Sequence, residues 1–145
     1  MNRHATAVWK GSAAEGSGTL DTQSGAFAAQ PYSFKGRFKD ESGKSGTNPE
    51  ELIAAAHAGC FAMALSHMLS ENGTPPEKLD VKAVVTYGPA AGGGFEITES
   101  ALTLNGSVPG IDEAKFKELA EKAKAGCPVS KALGAIKVSL QTSFG

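Results

Sequence analysis

Apolar and polar positions along the chain divide it around one run, residues 52–69, LIAAAHAGCFAMALSHML. On a 3.6-residue period its apolar side chains fall on nearly every side, which predicts a buried helix rather than a half-exposed one. Start and stop signals bracket the run. Thr47 and Glu50 have the T-x-x-E spacing of a capping box, with Pro49 just inside. Glu50 and Glu51 place negative charge where the helix dipole favours it. Gly73 suits the left-handed position past the last turn, and Pro75 and Pro76 prevent continuation. The run is about long enough to cross a bilayer. Two histidines, a glycine and many alanines make it weakly hydrophobic, so it reads as a soluble core helix.

Elsewhere the period is mostly two. Residues 5–10 (ATAVWK) and 17–22 (SGTLDT) predict short strands joined by a Gly/Ser-rich turn. In YSFKGRFKD (32–40), Phe34, Gly36 and Phe38 alternate with Lys35, Arg37 and Lys39, which predicts a third strand. Residues 79–88 alternate as a strand. A glycine-rich hairpin at 89–94 follows, and 94–108 return as a strand ending in an Asn105-Gly106 turn. The three consecutive glycines of that hairpin lack the spacing of a phosphate-binding loop. Residues 112–125 are an amphipathic helix with Asp112 as cap, acids early, lysines late and Gly126 as its stop. Cys127-Pro128 opens a short helix to Leu133, and 135–144 close the chain as an alternating strand. Strands, helix, strands, helices and strand predict an α+β domain with a mainly antiparallel sheet.

Composition narrows the function. The 145 residues suit a single domain, 1–145, able to bury a substantial core. A net charge of −1, from 14 basic and 15 acidic side chains, gives no basic patch for nucleic acid. MNRHATAVWKG lacks the apolar segment of a signal peptide. The expectation is a cytoplasmic protein whose two cysteines are reduced at rest.

Those cysteines carry the chemical interest. Cys60, in the apolar helix, is either inert core or a nucleophile. Cys127 precedes Pro128 at a helix start, where amides and dipole favour a thiolate, although a plain cap is an equal reading. The pair is not CxxC, and two sulfurs do not complete a structural zinc site. His57 shares a helix face with Cys60 at i−3, with His67 at i+7 from the thiol. A hydrogen-bonded core histidine is the preferred reading of His57. Arg37 is one of two arginines, the other being Arg3. Beside a thiol it would lower the thiol pKa, while its alternation with Lys35 and Lys39 favours a solvated strand face.

TNPEELIAAAHAGCFAMAL and AGCPVSKAL, together with QPYSFKGRF and VPGID, resemble the motifs of the OsmC/Ohr family of osmotically inducible and organic hydroperoxide resistance proteins. The resemblance spans essentially the whole chain, and the Arg37 and H-A-G-C segments look like the OsmC branch. It implies an intertwined homodimer, with sheet wrapped around long central helices and active sites at the subunit interface. It also implies a stress-defence peroxidase without haem, flavin or metal. Cys60 matches the peroxidatic cysteine, Cys127 the resolving cysteine, Arg37 the family arginine and Glu50 the motif glutamate. The implied substrates are organic hydroperoxides ahead of hydrogen peroxide, and the implied reductant is a dithiol such as protein-bound lipoamide. No nucleic acid or membrane partner is implied.

One spacing bears on that site. Ten residues separate Glu50 from Cys60, about 15 Å along a straight helix. A break in the helix, a bridging Arg37 or a group from the partner subunit would each resolve it. Two rival readings remain: a stress protein holding a small ligand in an apolar pocket, and a metal protein using His57, Cys60 and His67. The second is weak, because His67 sits about 10 Å along the helix from Cys60.

Overall fold

The two early strands form as their alternation predicts, β1 (Ala5–Lys10) and β2 (Ser17–Thr22), and β3 (Gln30–Ser33) completes an antiparallel sheet of order β1-β2-β3. The computed structural model describes all 145 residues, Met1–Gly145. They form two compact units, Met1–Leu52 and Ile53–Gly145. In the first unit, Trp9, Gly18 and Tyr32 occupy one cross-strand row. Gly18 has no side chain, so the Trp9 and Tyr32 rings meet across it at 5.3 Å between centroids.

The strand expected over 32–40 is cut short. Ser33 caps a five-residue helix, α1 (Phe34–Phe38), by accepting a hydrogen bond from the Gly36 amide at 3.0 Å. Phe34 and Phe38 sit one turn apart with ring centroids at 4.6 Å, a contact that a strand would not make. Arg37 is therefore a helical residue. After it, the Asp40 carboxylate accepts hydrogen bonds from the Ser42, Lys44 and Ser45 amides and from the Ser42 hydroxyl. These bonds, that to Ser42 foremost, hold its pKa far below the usual carboxylate range.

The long helix α2 runs unbroken over Pro49–Glu71. Its cap is one residue later than the T-x-x-E reading. Asn48 Oδ1 accepts from the Glu51 amide at 2.8 Å, and the Thr47 hydroxyl donates to Glu51 Oε2 at 2.8 Å. That leaves Glu50 available for another partner. At the other end Gly73 takes a positive φ of 80°, as expected of a residue past the last turn.

In the second unit β4 (Lys78–Pro89) and β5 (Phe95–Ser107) form the expected hairpin. The chain then crosses through α3 (Glu113–Gly126) and α4 (Pro128–Ala132) to β6 (Lys137–Phe144). The β6 strand lies parallel to β5, as a helical crossover permits. Three of the four strand pairings are antiparallel, distributed over two three-stranded sheets. This is the mixed α+β architecture expected, with a long central helix.

Two details differ. Asn105-Gly106 is not a turn: β5 continues through it, and the Phe116 ring lies over Gly106 where a Cβ would stand. Nor is α2 buried all round. His57, Phe61, Leu65 and Leu69, four residues apart, form its buried stripe, while Met63 is 76% exposed. The stripe packs into a core with Leu102 and Leu104 of β5 and with Phe116 and Ala120 of α3. By length and composition α2 could cross a bilayer, yet this stripe is core.

Candidate active site

Two elements of the second unit bring its sulfurs together. Cys60 stands on α2 beside the buried stripe, partly buried against the core. Cys127 is fully buried in the joint between α3 and α4. Its amide closes α3 by donating to the Ala123 carbonyl at 2.9 Å, and its carbonyl accepts from Lys131 at 3.1 Å. Pro128 occupies the first helical position of α4, where no amide is missed. With its backbone fixed at both ends, Cys127 reaches Cys60 with a sulfur–sulfur distance of 2.9 Å. Both thiols are reduced. A residue separation of 67 gave no sign of this contact in the sequence.

The two sulfurs are not electrostatically alike. Burial pushes the Cys60 thiol up, the contact with Cys127 adds to this, and the Val129 amide opposes it. At Cys127 burial also opposes ionisation. The neighbouring Cys60 thiol, the Ser130 amide and hydroxyl and the Val129 amide favour the thiolate, outweigh it and bring the pKa down. Within this unit, therefore, Cys127 loses its proton more readily than Cys60 does.

One turn before Cys60, His57 is fully buried and hydrogen-bonded at both ring nitrogens. Nδ1 meets Ser100 Oγ at 2.6 Å and Nε2 meets Ser130 Oγ at 2.8 Å. Desolvation lowers its pKa, which keeps the ring neutral. The core reading of His57 holds. His67 is exposed instead, 3.5 Å from Glu71. No group of three ligating side chains suited to a metal ion occurs in the chain. Ser100 and Ser130 were not singled out from the sequence. Ser130 carried a usable signal, lying three residues after Cys127 at a helix start, whereas Ser100 is an unmarked strand serine.

The first unit holds the other two side chains. Arg37 pairs with Glu50 through two hydrogen bonds, Nε to Oε2 at 3.2 Å and a terminal nitrogen to Oε1 at 2.5 Å. This fork is partly shielded, with the Arg37 and Glu50 side chains 32% and 14% exposed. The guanidinium also lies 4.8 Å from the Phe38 ring centroid. Trp9, Tyr32, Phe34, Phe38 and Pro49 line a groove of about 420 Å³ with Arg37 at its wall. Arg37 is thus an aimed, aromatic-flanked cation rather than a solvated strand charge. The unbroken α2 removes a helix break as the route that brings Glu50 to Cys60.

Two thiols in contact on a mixed α+β scaffold with a long central helix define the structural class. Within that class the chain belongs to the OsmC-like family, whose model matches residues 41–141. It is 48% identical over 135 residues to peroxiredoxin OsmC of Escherichia coli K12, covering 93% of this chain and 92% of that protein. It is 36% identical over 100 residues to organic hydroperoxide resistance protein OhrB of Bacillus subtilis, covering 68% and 71%. The crystal structure of that OhrB superposes with a TM-score of 0.78 at 29% identity, covering 99% of this chain and 98% of that one. A Legionella pneumophila organic hydroperoxide resistance protein also reaches 0.78, at 26% identity and with 99% and 97% covered.

Proposed function

We propose that this protein is a cytoplasmic cysteine peroxidase that reduces organic hydroperoxides, and hydrogen peroxide less efficiently, in stress defence. The observation that carries the reading is the 2.9 Å contact between Cys60 and Cys127, two thiols brought together from distant parts of the chain. The relatives' names, peroxiredoxin and organic hydroperoxide resistance protein, point to the same chemistry. Cys60 thiolate attacks the terminal peroxide oxygen, the O–O bond breaks, and the alkoxide leaves and takes a proton to become an alcohol. Cys60 is then a sulfenic acid. Cys127 attacks that sulfur, expels the oxygen as water and forms a disulfide before further oxidation. A dithiol such as protein-bound lipoamide restores both thiols.

Arg37 supplies the cation that Cys60 lacks in its own unit. Its guanidinium stabilises the thiolate and the charge that develops on the peroxide oxygens, and Glu50 aims it. The groove of Trp9, Tyr32, Phe34 and Phe38 takes the organic part of the substrate, which is why an alkyl or aryl hydroperoxide is preferred. We assign the Arg37–Glu50 pair to the partner subunit of an intertwined homodimer. The continuous α2 supports this, as does the exposed Met63 on it, an apolar side chain that a second chain would cover.

The test is peroxide consumption with a dithiol, comparing cumene hydroperoxide with hydrogen peroxide. Faster turnover of cumene hydroperoxide is expected. Binding of a small ligand in the aromatic groove, with no peroxide-dependent loss of thiol relative to Cys60→Ser, would favour a ligand-carrying protein instead.

A further inference from the structure

The mechanism so far leaves one buried titratable group unused. His57 lies in the core between two serines, and one of those serines adjoins the second sulfur. Cys127 precedes the first residue of α4, Pro128, so Ser130 is the third residue of that helix. The side chains before a helix and at its third position are neighbours, the geometry that a capping box exploits. Ser130 Oγ thus stands between Cys127 Sγ and His57 Nε2, 2.8 Å from the latter.

We propose that Ser130 and His57 form a proton relay that deprotonates Cys127 for disulfide closure and returns the proton to the departing oxygen. The inference rests on the peroxidase reading for its physiological setting, but the relay itself is a property of the buried row Cys127–Ser130–His57–Ser100.

The proton bookkeeping is closed. The relay uses the tautomer in which Ser100 Oγ accepts from His57 Nδ1–H and Nε2 accepts from the Ser130 hydroxyl; the Ser130 oxygen is then free to accept from the Cys127 thiol, which donates to Cys60 while both thiols are reduced. As the Cys127 sulfur attacks the Cys60 sulfenic acid, its proton passes to Ser130 Oγ and the serine proton passes to Nε2. The S–S bond forms, the S–O bond of Cys60 breaks, and hydroxide leaves. Ser130 then passes its hydroxyl proton to the hydroxide beside it and takes the proton on Nε2 in exchange, so water leaves and the serine and the neutral ring are restored. No outside oxidant or reductant enters this step, because the oxidising equivalents are already on Cys60. The neutrality of the buried imidazole supports the assignment, since only a neutral ring has a nitrogen left to accept. Ser130 touches the reacting thiol. His57 acts through it as a positioning residue, and Ser100 fixes the tautomer.

The experiment follows closure separately from peroxide attack. Reduced protein is mixed with one equivalent of cumene hydroperoxide, quenched by acid at intervals, and resolved by intact mass into thiol, sulfenic acid and disulfide. In His57→Gln, whose amide keeps hydrogen-bonding capacity but not basicity, the ratio of closure rate to peroxide-step rate should fall about 100-fold, the usual scale of general acid–base assistance. Ser130→Ala, a change of little volume, should lower the ratio similarly, and Ser130→Thr should restore it. Closure driven by glutathione disulfide reads the same Cys127 attack without any peroxide, the leaving thiolate taking the relayed proton. It should show the same losses and the same rescue, so a failure of the peroxidase reading leaves the relay measurable. Wild-type closure by both oxidants in folded Ser130→Ala or folded His57→Gln would overturn it.

Discussion

Arg37 is where residue identity decides most. A solvated surface cation would tolerate Arg37→Lys almost without effect. A bidentate fork held by Glu50 over a phenyl ring would not, because lysine keeps the charge and loses the planar geometry. Arg37→Lys should cost at least ~10-fold in peroxide reactivity, about 1.4 kcal/mol of transition-state stabilisation. Wild-type rates in a folded variant would return Arg37 to a structural role. The two cysteines should fail in different ways. Cys60→Ser should abolish turnover, whereas Cys127→Ser should consume about one peroxide per subunit and then stall as sulfenic or sulfinic acid. Equal residual turnover would sink the division of roles. At this scale the sequence was most informative about the four residues inside the two long motifs and the segment before them. It was silent on Ser100, because a serine in a strand carries no mark of what will be packed beside it.

The elements were legible wherever pattern and punctuation agreed. α3 forms with Asp112 as its cap and Gly126 as its last residue. The reading failed where two periods fit the same letters. Phe34, Gly36 and Phe38 alternate like a strand, but the 34/38 spacing is also one helical turn, and the Ser33 cap with the ring contact selects the helix. Asn105-Gly106 carries the letters of a turn, yet tertiary packing overrides them because Phe116 needs the space over Gly106. Gly106→Ala should therefore destabilise the fold by about 1–3 kcal/mol, the range for overpacking, read as a lower urea midpoint. An unchanged midpoint would mean that the ring has another place to go. Asn48→Ala should cost about 1 kcal/mol, while Thr47→Ala spares the amide bond that Asn48 makes.

At the scale of the whole molecule, the expectation that α2 is buried on every side failed for a physical reason. Hydrophobic pattern reports how much surface must be covered and says nothing of which chain covers it. One chain buries the stripe through His57, Phe61, Leu65 and Leu69 and leaves Met63 largely open, and Val8 and Trp9 of β1 are also exposed. Sedimentation should show a dimer, and Met63→Glu should shift it toward monomer. If the partner supplies Arg37, then mixing Cys60→Ser subunits with Arg37→Ala subunits should recover activity that neither homodimer has, since each mixed dimer rebuilds one intact site. No recovery after verified subunit exchange would place the two groups on the same chain.

The sulfur contact also bears on heat resistance. Closing a bridge between positions 60 and 127 ties off a long loop and so removes many conformations from the unfolded chain. For a loop of that length the chain-entropy estimate is about 4 kcal/mol. The oxidised form should melt well above the reduced one, and a thermal scan would register peroxide exposure without any assay of turnover. By the same linkage the folded chain holds its bridge against a reductant more tightly than the unfolded chain would. Under the proposed chemistry, a protein hardened by its own oxidant is most resistant to unfolding while it is idle, waiting to be reduced.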